Sequence, residues 1–276
     1  MFGVEIMNYL SVDEIKKIEL DILKNVHLFC EENDIIYILT GGTLLGAIRH
    51  KGFIPWDDDI DIAMPRKDYD KFISTYSDER YLAKSIDNSK DYIFTFCKVV
   101  DTKTVLEENK NNASNLGINI DIFPLDGLPN GRRKAILYAK ISLLYKDLIS
   151  IKQMKFRKGR SAKKNLVLLL GKIILAPISY ESLNKWNINY SKRFDYSHSD
   201  YVANLSWGFG EDEILSRKGL LNRQLVPFED TEFFISKNYE EFLVNRYGDY
   251  MQFPPEEQRK SHHGFKAYYR DQADYK

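Results

Sequence analysis

Four aspartates fall within the six residues DDDIDI at positions 57–62. If this run forms a strand, Asp59 and Asp61 project from one face and the two isoleucines from the other. Two carboxylates held this close repel each other unless a cation lies between them, and hard oxygen ligands of this kind suit Mg²⁺ or Mn²⁺. The alternative is an acidic loop or strand face exposed to water, because short acidic clusters are common on protein surfaces. The run alone leaves both interpretations open.

A second strand-like segment repeats this design. In INIDIF (118–123), Asp121 has apolar neighbours on both sides. An aspartate within an otherwise apolar strand is costly unless it is paired or bound to a metal ion. We expect the two strands to be neighbours, which would bring Asp121 beside Asp59 and Asp61. These three carboxylates are the candidate catalytic and metal-ligating residues.

A glycine turn upstream of the aspartates could bind a phosphate group. The turn TGGT (40–43) lies between a predicted strand and a predicted helix. Glycines at that position let backbone N–H groups approach a phosphate at the helix N-terminus. Gly41, Gly42 and Thr43 are therefore candidate phosphate-binding residues. Two glycines alone are a weak signal, but a short helix, a DxD strand and a third aspartate strand follow them.

Apolar spacing and capping signals predict the elements that position these residues. Ser11 and Glu14 form a capping box before an amphipathic helix at 12–32, and Thr43 is expected to cap a short helix ending near His50. Further helices are predicted at 66–76, from Leu137 to Ile151, and at 162–176, 182–194 and 238–247. Strands are predicted at 35–39, 59–64, 92–100, 103–107, 118–123, 201–206 and 231–235. Alternating helices and strands followed by locally paired strands predict an α+β fold with a mixed sheet.

Positive charge is concentrated in the middle of the chain. Residues 132–164 hold twelve Lys or Arg and one acidic residue, whereas the whole chain has 40 basic and 40 acidic residues. We therefore predict a catalytic core at 1–130, a basic helical insertion at 131–194, and a C-terminal part at 195–276 that completes the core. A basic amphipathic helix pair fits an anionic membrane surface, where each Lys or Arg is worth ~1 kcal/mol. The alternative is a solvated helical face with a coincidental charge bias.

Composition excludes several classes of protein. A net charge of zero excludes a nucleic-acid binder with an overall basic charge, so we expect no nucleic-acid partner. Two cysteines cannot make a disulfide scaffold or a Cys-rich zinc site, and they fit a reducing cytoplasm. The most apolar stretch, 166–178, is 13 residues long and contains Lys172, whereas a bilayer span needs ~20 apolar residues. No targeting segment is apparent, and the expected location is cytoplasmic, at the inner face of the membrane.

Three segments carry a resemblance to a known family. LTGGTLLGAIRHKGFIPWDDDIDIAMPRKDYDKF (39–72) closely resembles the LicD family of phosphotransferases, which is related to fukutin. NIDIFPLDGLP (119–129) and YGDYMQFPPEEQRKSHH (247–263) resemble the same family. The resemblance implies a nucleotidyltransferase-like catalytic core. It also implies transfer of a phospho-alcohol, typically phosphocholine from CDP-choline, to a hydroxyl of a cell-surface glycan or teichoic acid precursor, with lipid-linked acceptors among the candidates.

The predicted residues suit that reaction, because phosphoryl transfer requires charge neutralisation and in-line placement. Asp59 and Asp61 would hold Mg²⁺ on the diphosphate, and Asp121 would bind a second ion or take the proton from the acceptor hydroxyl. The glycine turn would cradle a phosphate.

Five further side chains are candidates for contacts with the donor: Arg49, Lys98, Arg259, His262 and His263. Lys98 could contact a phosphate or be a snorkelling lysine on an edge strand. Arg49 could reach the donor or lie in a solvated loop. The remaining three follow a Pro-Pro turn, where either histidine could bind phosphate, ligate a metal, act as an acid, or belong to a surface pair.

The residues around the DxD motif leave further alternatives open. Trp56 could face a quaternary ammonium group by cation–π attraction, or be a core or lid residue. Asp57 and Asp58 could support the metal site or be merely solvated. For the whole chain, the alternatives are transfer of another CDP-activated alcohol phosphate (ribitol, glycerol or ethanolamine), a DxD glycosyltransferase, or a non-catalytic membrane- or glycan-binding module.

Overall fold

Helices and strands alternate through the first part of the chain, and a group of helices follows. The computed structural model describes residues 8–89, 92–107, 116–154, 156, 159, 161–260 and 266–270. Within them the helices are α1 (Val12–Glu32), α2 (Gly41–His50), α3 (Arg66–Thr75), α4 (Arg132–Gln153), α5 (Ala162–Ile174), α6 (Tyr180–Ser191), α7 (Arg217–Leu221) and α8 (Tyr239–Tyr247). The strands are β1 (Ile38–Leu39), β2 (Asp61–Pro65), β3 (Tyr81–Lys84), β4 (Cys97–Asp101), β5 (Thr104–Glu107), β6 (Asn119–Gly127), β7 (Tyr201–Ala203), β8 (Leu215–Ser216), β9 (Arg223–Phe228), β10 (Thr231–Ser236) and β11 (Lys266–Tyr269).

A mixed sheet forms the centre of the molecule. Its strands run in the order β1-β2-β6-β4-β3, with β7 paired to the far end of β6 and β8 paired to β7. Strands β2 and β6 are parallel, and the other neighbours in this sheet are antiparallel. Two smaller antiparallel pairs, β9–β10 and β5–β11, lie beside it. The predicted α+β fold with a mixed sheet is confirmed.

Helix α1 packs on this sheet and has the predicted bounds. Its N-terminus is closed by the predicted capping box, in which the Ser11 N–H donates to Glu14 Oε2 (2.8 Å) and the Glu14 N–H donates to Ser11 Oγ (3.3 Å). Ile18, Ile22 and Val26 are buried in the same apolar core as the isoleucines of β2 and β6. Burying an aliphatic side chain of this size is worth about 1.5–3 kcal/mol, so α1 fixes the sheet that carries the aspartates.

Several predicted strands have different bounds in the structure. The strand predicted at 35–39 is confined to β1, because the N–H of Ile36 donates to the Asp68 carboxylate (3.0 Å) rather than to a neighbouring strand. The strand predicted at 92–100 begins only at Cys97, and part of the preceding loop is closed by a bond from the Tyr92 hydroxyl to the Phe96 carbonyl (2.9 Å). The strand predicted at 59–64 is β2, which begins at Asp61. The strand predicted at 201–206 is shorter and ends at Ala203.

The middle of the chain is helical, as predicted. Helices α4, α5 and α6 correspond to the three predicted helices, and their ends are shifted by a few residues. Helices α4 and α6 pack through Tyr138 and Tyr190, whose rings stack with centroids 4.1 Å apart and whose hydroxyls donate to each other's backbone carbonyls. Among the described residues, none of the helices has the length and apolar character to cross a membrane. The division of the chain at 130 and 194 stays a prediction.

Candidate active site

The aspartates lie where β2 and β6 run side by side. Asp61 and Asp121 are directly paired in the register of these parallel strands, and the N–H of Asp121 donates to the Ile60 carbonyl (2.9 Å). Asp59 lies in the loop before β2, so the prediction that it shares a strand face with Asp61 is wrong. The ladder with β6 begins only at Asp61, yet both carboxylates line the same cavity.

The glycine turn meets these carboxylates at the N-terminus of α2. A Cβ on Gly41 would lie 2.8 Å from Asp61 Oδ2, and one on Gly42 would lie 2.4 Å from Asp57 Oδ2. Gly41 also has φ +57°, which favours glycine. Both glycines line the cavity, so the first backbone N–H groups of α2 lie beside the carboxylates.

Thr43 does not cap α2, contrary to the sequence prediction, and its phosphate contact stays a prediction. The N-cap of α2 is Thr40, and Thr43 lies inside the helix. Its buried hydroxyl accepts a hydrogen bond from the N–H of Asp61 (2.8 Å). Thr43 therefore joins α2 to β2 and fixes the backbone of Asp61, which is a positioning contact.

Negative charge accumulates around Asp61. Burial raises the pKa of its carboxyl well above the ordinary value, and the charges of Asp59, Asp121 and Asp57 raise it further. Clustered carboxylates of this kind are the donor set that hard divalent cations prefer, so the chemistry of these residues fits Mg²⁺ or Mn²⁺. Within the part of the chain that the structure describes, no three His, Cys, Asp or Glu side chains are arranged as a complete metal site. The metal therefore remains a proposal that rests on the donor chemistry.

Lys98 pairs with the third aspartate. It lies on β4, between β3 and β6, so the edge-strand alternative is wrong. Its buried ammonium group donates to Asp121 Oδ1 (2.5 Å) and to Asn119 Oδ1 (3.0 Å). The bond to Asp121 holds one oxygen of this carboxylate in place. Lys98 is absent from the cavity lining among the described residues.

A cavity of about 770 Å³ opens above the glycine turn. Its acidic side is formed by Asp57, Asp59 and Asp61. Its other sides carry an aromatic wall made of Trp56, Phe123, Trp207, Phe209, Phe242, Tyr247, Tyr250 and Phe253. Carboxylates and aromatic faces together suit a ligand that carries both a metal-neutralised diphosphate and an organic cation.

Two predicted arginines contact the segment 250–259, which forms one side of this cavity. Arg49 lines the cavity and donates through Nη1 to the carbonyls of Tyr250 (2.9 Å) and Gln252 (3.3 Å). Arg259 donates through Nε to the Pro254 carbonyl (2.8 Å), and its guanidinium lies 5.7 Å from the centre of the Trp56 ring. Both side chains hold the 250–259 segment in place. His262 and His263 lie outside the described residues.

Trp56 and Asp58 also have defined places. Trp56 is half-buried, packs against the core and lines the cavity, as the core interpretation expected, and a contact with a quaternary ammonium group stays a prediction. Asp58 is 5% exposed, so the solvated alternative does not apply to it.

Sequence reasoning missed a charged cluster, two members of which, Glu213 and Arg246, line the cavity. Glu213 is buried beside Phe209, whose N–H donates to Glu213 Oε2 (3.2 Å), and burial raises the pKa of Glu213 to about 7. Arg246 lies 3.5 Å and Lys146 4.2 Å from the centre of the Phe209 ring. The three charged residues come from distant segments of the chain, and the glycine–acid segment GFGEDE (208–213) is the single local signal of this cluster that we find.

Glu19 was also missed, although its position carried a signal. It lies four residues after Ile15 and three before Ile22, on the apolar face of α1. The side chain is 3% exposed, and burial together with the charges of Asp59 and Asp58 raises its pKa well above the ordinary value.

The chain is similar to proteins of known family. The model of the LicD/FKTN/FKRP nucleotidyltransferase domain matches residues 34–166. The lipopolysaccharide cholinephosphotransferase LicD of Haemophilus influenzae is 33% identical over 271 residues, which are 95% of this chain and 99% of the relative. An uncharacterized protein of Rickettsia typhi is 36% identical over 83 residues, 30% of this chain and 27% of the relative. One of Rickettsia prowazekii is 38% identical over 68 residues, 21% of this chain and 26% of the relative. Because the first of these similarities extends over nearly the whole length of both proteins, the chain belongs to the LicD family.

Proposed function

We propose that this chain is a phosphotransferase that moves phosphocholine from CDP-choline to a hydroxyl of a cell-surface glycan, with Mg²⁺ or Mn²⁺ as cofactor. The observation that carries the proposal is one cavity in which clustered carboxylates and a glycine helix N-terminus face an aromatic wall. The Haemophilus relative, whose name gives lipopolysaccharide as the substrate, supports a glycan acceptor. A teichoic acid precursor offers the same hydroxyl chemistry.

The carboxylates are assigned to metal binding. Asp59 and Asp61 would hold the ion, and Asp121, on the neighbouring strand, would bind a second ion or take the proton from the acceptor hydroxyl. A divalent cation bound there supplies positive charge that neutralises the diphosphate of the donor. The hydrogen bond from the Asp61 N–H to the Thr43 hydroxyl fixes the start of β2. The bond from Lys98 to Asp121 Oδ1 fixes the Asp121 side chain on β6.

The chain's own groups then act on the phosphates and the acceptor. The N–H groups of Gly41 and Gly42 bind phosphate oxygens at the start of α2, where the helix dipole favours negative charge. The acceptor hydroxyl attacks the phosphorus that carries choline, so a new P–O bond forms and the bond to the CMP oxygen breaks. The hydroxyl proton passes to a carboxylate, for which Asp121 is our candidate, and CMP leaves with the electron pair of the broken bond.

The aromatic wall is assigned to the choline end of the donor. A trimethylammonium group cannot donate hydrogen bonds, and aromatic ring faces attract it by about 0.5–2 kcal/mol per ring. Trp207 and Tyr247 lie on this wall in the same cavity as the carboxylates. The proposal therefore expects choline to be preferred over alcohols such as ribitol or glycerol, which carry no charge.

Calorimetric binding tests the donor. We would titrate CDP-choline, CDP-ethanolamine, CDP-ribitol, CDP-glycerol and a UDP-sugar into the protein, each with and without Mg²⁺. We expect binding of CDP-choline that depends on Mg²⁺ and exceeds that of the other donors. Preference for another CDP-alcohol would refute the choice of choline, and preference for the UDP-sugar would favour a DxD glycosyltransferase. Absence of nucleotide binding would favour a non-catalytic module.

Conservative variants test the carboxylates. Asp59→Asn and Asp61→Asn keep the size of the side chain and remove its charge, so each should abolish CMP release while the melting temperature stays at or above that of the wild type. Asp70→Asn, on an exposed part of α3, is the matched control and should release CMP normally. Normal CMP release by both cavity variants would refute the metal assignment.

A further inference from the structure

Helix α5 exposes an unusually apolar surface. Six large aliphatic side chains in nine consecutive positions are between 43% and 71% exposed: Leu166, Val167, Leu169, Leu170, Ile173 and Ile174. We call this set the α5 face. Isolated exposed aliphatic residues are normal on a protein surface, but a contiguous group of this kind marks an interaction site.

The six side chains form one continuous face. At 3.6 residues per turn they fall within an arc of about 160° around the helix axis. The opposite side of α5 carries its buried residues, Leu168 and Leu175. Gly171 lies against the Ile151 side chain at the end of α4, and the Lys172 ammonium donates to the Lys152 carbonyl (2.8 Å). Within the described part of the chain, the helix therefore packs against α4 on one side and is exposed to solvent on the other.

Among the residues that the structure describes, positive charge adjoins this face at the start of α5. The segment 132–164, which includes α4 and the first turn of α5, holds twelve of the chain's 40 basic residues and one acidic residue. Lys163 and Lys164 are exposed at the start of α5. An apolar helix face flanked by lysines and arginines is the pattern of helices that lie in a membrane interface, where the apolar side enters the acyl boundary and the cations meet anionic headgroups.

We infer that the α5 face docks on an anionic lipid surface, with the helix lying in the plane of the interface. Its 13 residues span about 20 Å, and the structure accordingly offers a helix that lies on a bilayer and does not cross it. Charge argues against a second copy of this chain as the occupant, because pairing two α5 faces would bring two strongly basic segments together. An anionic lipid surface satisfies both the apolar face and its basic border.

The docking surface is connected to the cavity through α4. Lys146, on this helix, donates to the carbonyls of Trp207 (3.3 Å) and Gly208 (2.9 Å). Trp207 lines the cavity. Docking through α5 would thus hold the cavity at a fixed distance from the lipid surface. The inference itself does not depend on the proposed reaction, since vesicle binding is measured without donor or acceptor.

Vesicle flotation of the full chain tests this inference. We would use vesicles of phosphatidylcholine alone and vesicles of phosphatidylcholine and phosphatidylglycerol in equal parts. The wild type should float with the mixed vesicles and not with phosphatidylcholine alone. The variant Leu170→Ser/Ile173→Ser/Ile174→Ser should bind mixed vesicles at least about tenfold more weakly.

A matched control replaces three aliphatic residues that are exposed elsewhere. Leu28→Ser/Leu82→Ser/Leu221→Ser removes side chains that are 58%, 49% and 44% exposed, and it should bind vesicles like the wild type. Circular dichroism should show the same melting temperature for the α5 variant and the wild type, because the replaced side chains are solvent-exposed.

The charge contribution has its own pair of variants. Lys163→Gln/Lys164→Gln should weaken binding to mixed vesicles by about fivefold for each lysine that lies near the headgroups. The control Lys17→Gln/Lys67→Gln removes the same charge from exposed positions elsewhere and should have a much smaller effect.

Two results would overturn the inference. One is wild-type binding to mixed vesicles that the α5 variant retains. The other is absence of vesicle binding together with a dimer in sedimentation equilibrium that the α5 variant loses, since the face would then be an interface between copies of this chain.

Discussion

Replacing Gly42 with alanine should separate the stability of the fold from the activity of the site. Gly42 is the second residue of α2, and its Cβ would lie 2.4 Å from Asp57 Oδ2. Ordinary contact begins at 3.4 Å, so the Asp57 carboxylate must move by about 1 Å. Gly42 does not have a positive φ, and alanine fits its backbone without strain.

The expected effect on stability is small, whereas the expected effect on turnover is large. Alanine in a helix is favoured over glycine by up to about 1 kcal/mol, which offsets the displacement of a half-buried side chain at the cavity rim. The free energy of unfolding should therefore change by less than about 1 kcal/mol. A displacement of about 1 Å at a catalytic site can lower turnover by about 10²-fold, which corresponds to about 2.7 kcal/mol of barrier.

Urea unfolding and CMP release measure these two quantities on the same samples. CDP-choline would be the donor, purified lipopolysaccharide the acceptor, and Mg²⁺ the cation. Gly171→Ala is the matched control, because it is also a helical glycine with little space for a Cβ, 2.9 Å from Ile151 Cγ2, and lies away from the cavity. Turnover of Gly42→Ala equal to that of the wild type would show that the close approach of α2 to Asp57 has no part in catalysis.

Two further predictions concern stability. Burial raises the pKa of Glu213 from 4.5 to about 7, so the folded protein holds a proton that the unfolded chain releases, and stability falls as the pH rises between these values. Glu213→Gln should remove this loss and be more stable than the wild type by about 3 kcal/mol above neutral pH; parallel pH profiles of urea unfolding for the two proteins would contradict this. Arg66 holds Asp126 through bonds of 2.7 and 2.8 Å, and Asp126 is 1% exposed, so Arg66→Met should cost about 3–5 kcal/mol by leaving a buried carboxylate unpaired. Lys24→Met, which breaks the exposed pair with Asp230, should cost less than about 1 kcal/mol in the same assay.

Local signals in the sequence were sufficient for much of the fold. The capping box and the spacing of apolar residues placed α1 at its observed bounds, because these interactions are made within a few turns of one helix. The strands were less predictable. Strand β1 is two residues long because Asp68, which is distant in sequence, takes the N–H of Ile36. No pattern of residues within 35–39 indicates this hydrogen bond between Ile36 and Asp68.

The candidate site divides in the same way. The sequence by itself determined the residue types of the site, the DxD motif, the glycine turn and the third aspartate, and the resemblance of the segments that contain them identified the family. The tertiary structure decided what each contacts: Thr43 binds the Asp61 backbone, Lys98 binds Asp121, and a buried Glu213 lines the same cavity. The physical reason is the distance along the chain over which each kind of interaction acts. Side-chain periodicity and capping act over a few residues of chain, whereas burial and the pairing of charges depend on which distant segments the fold brings together.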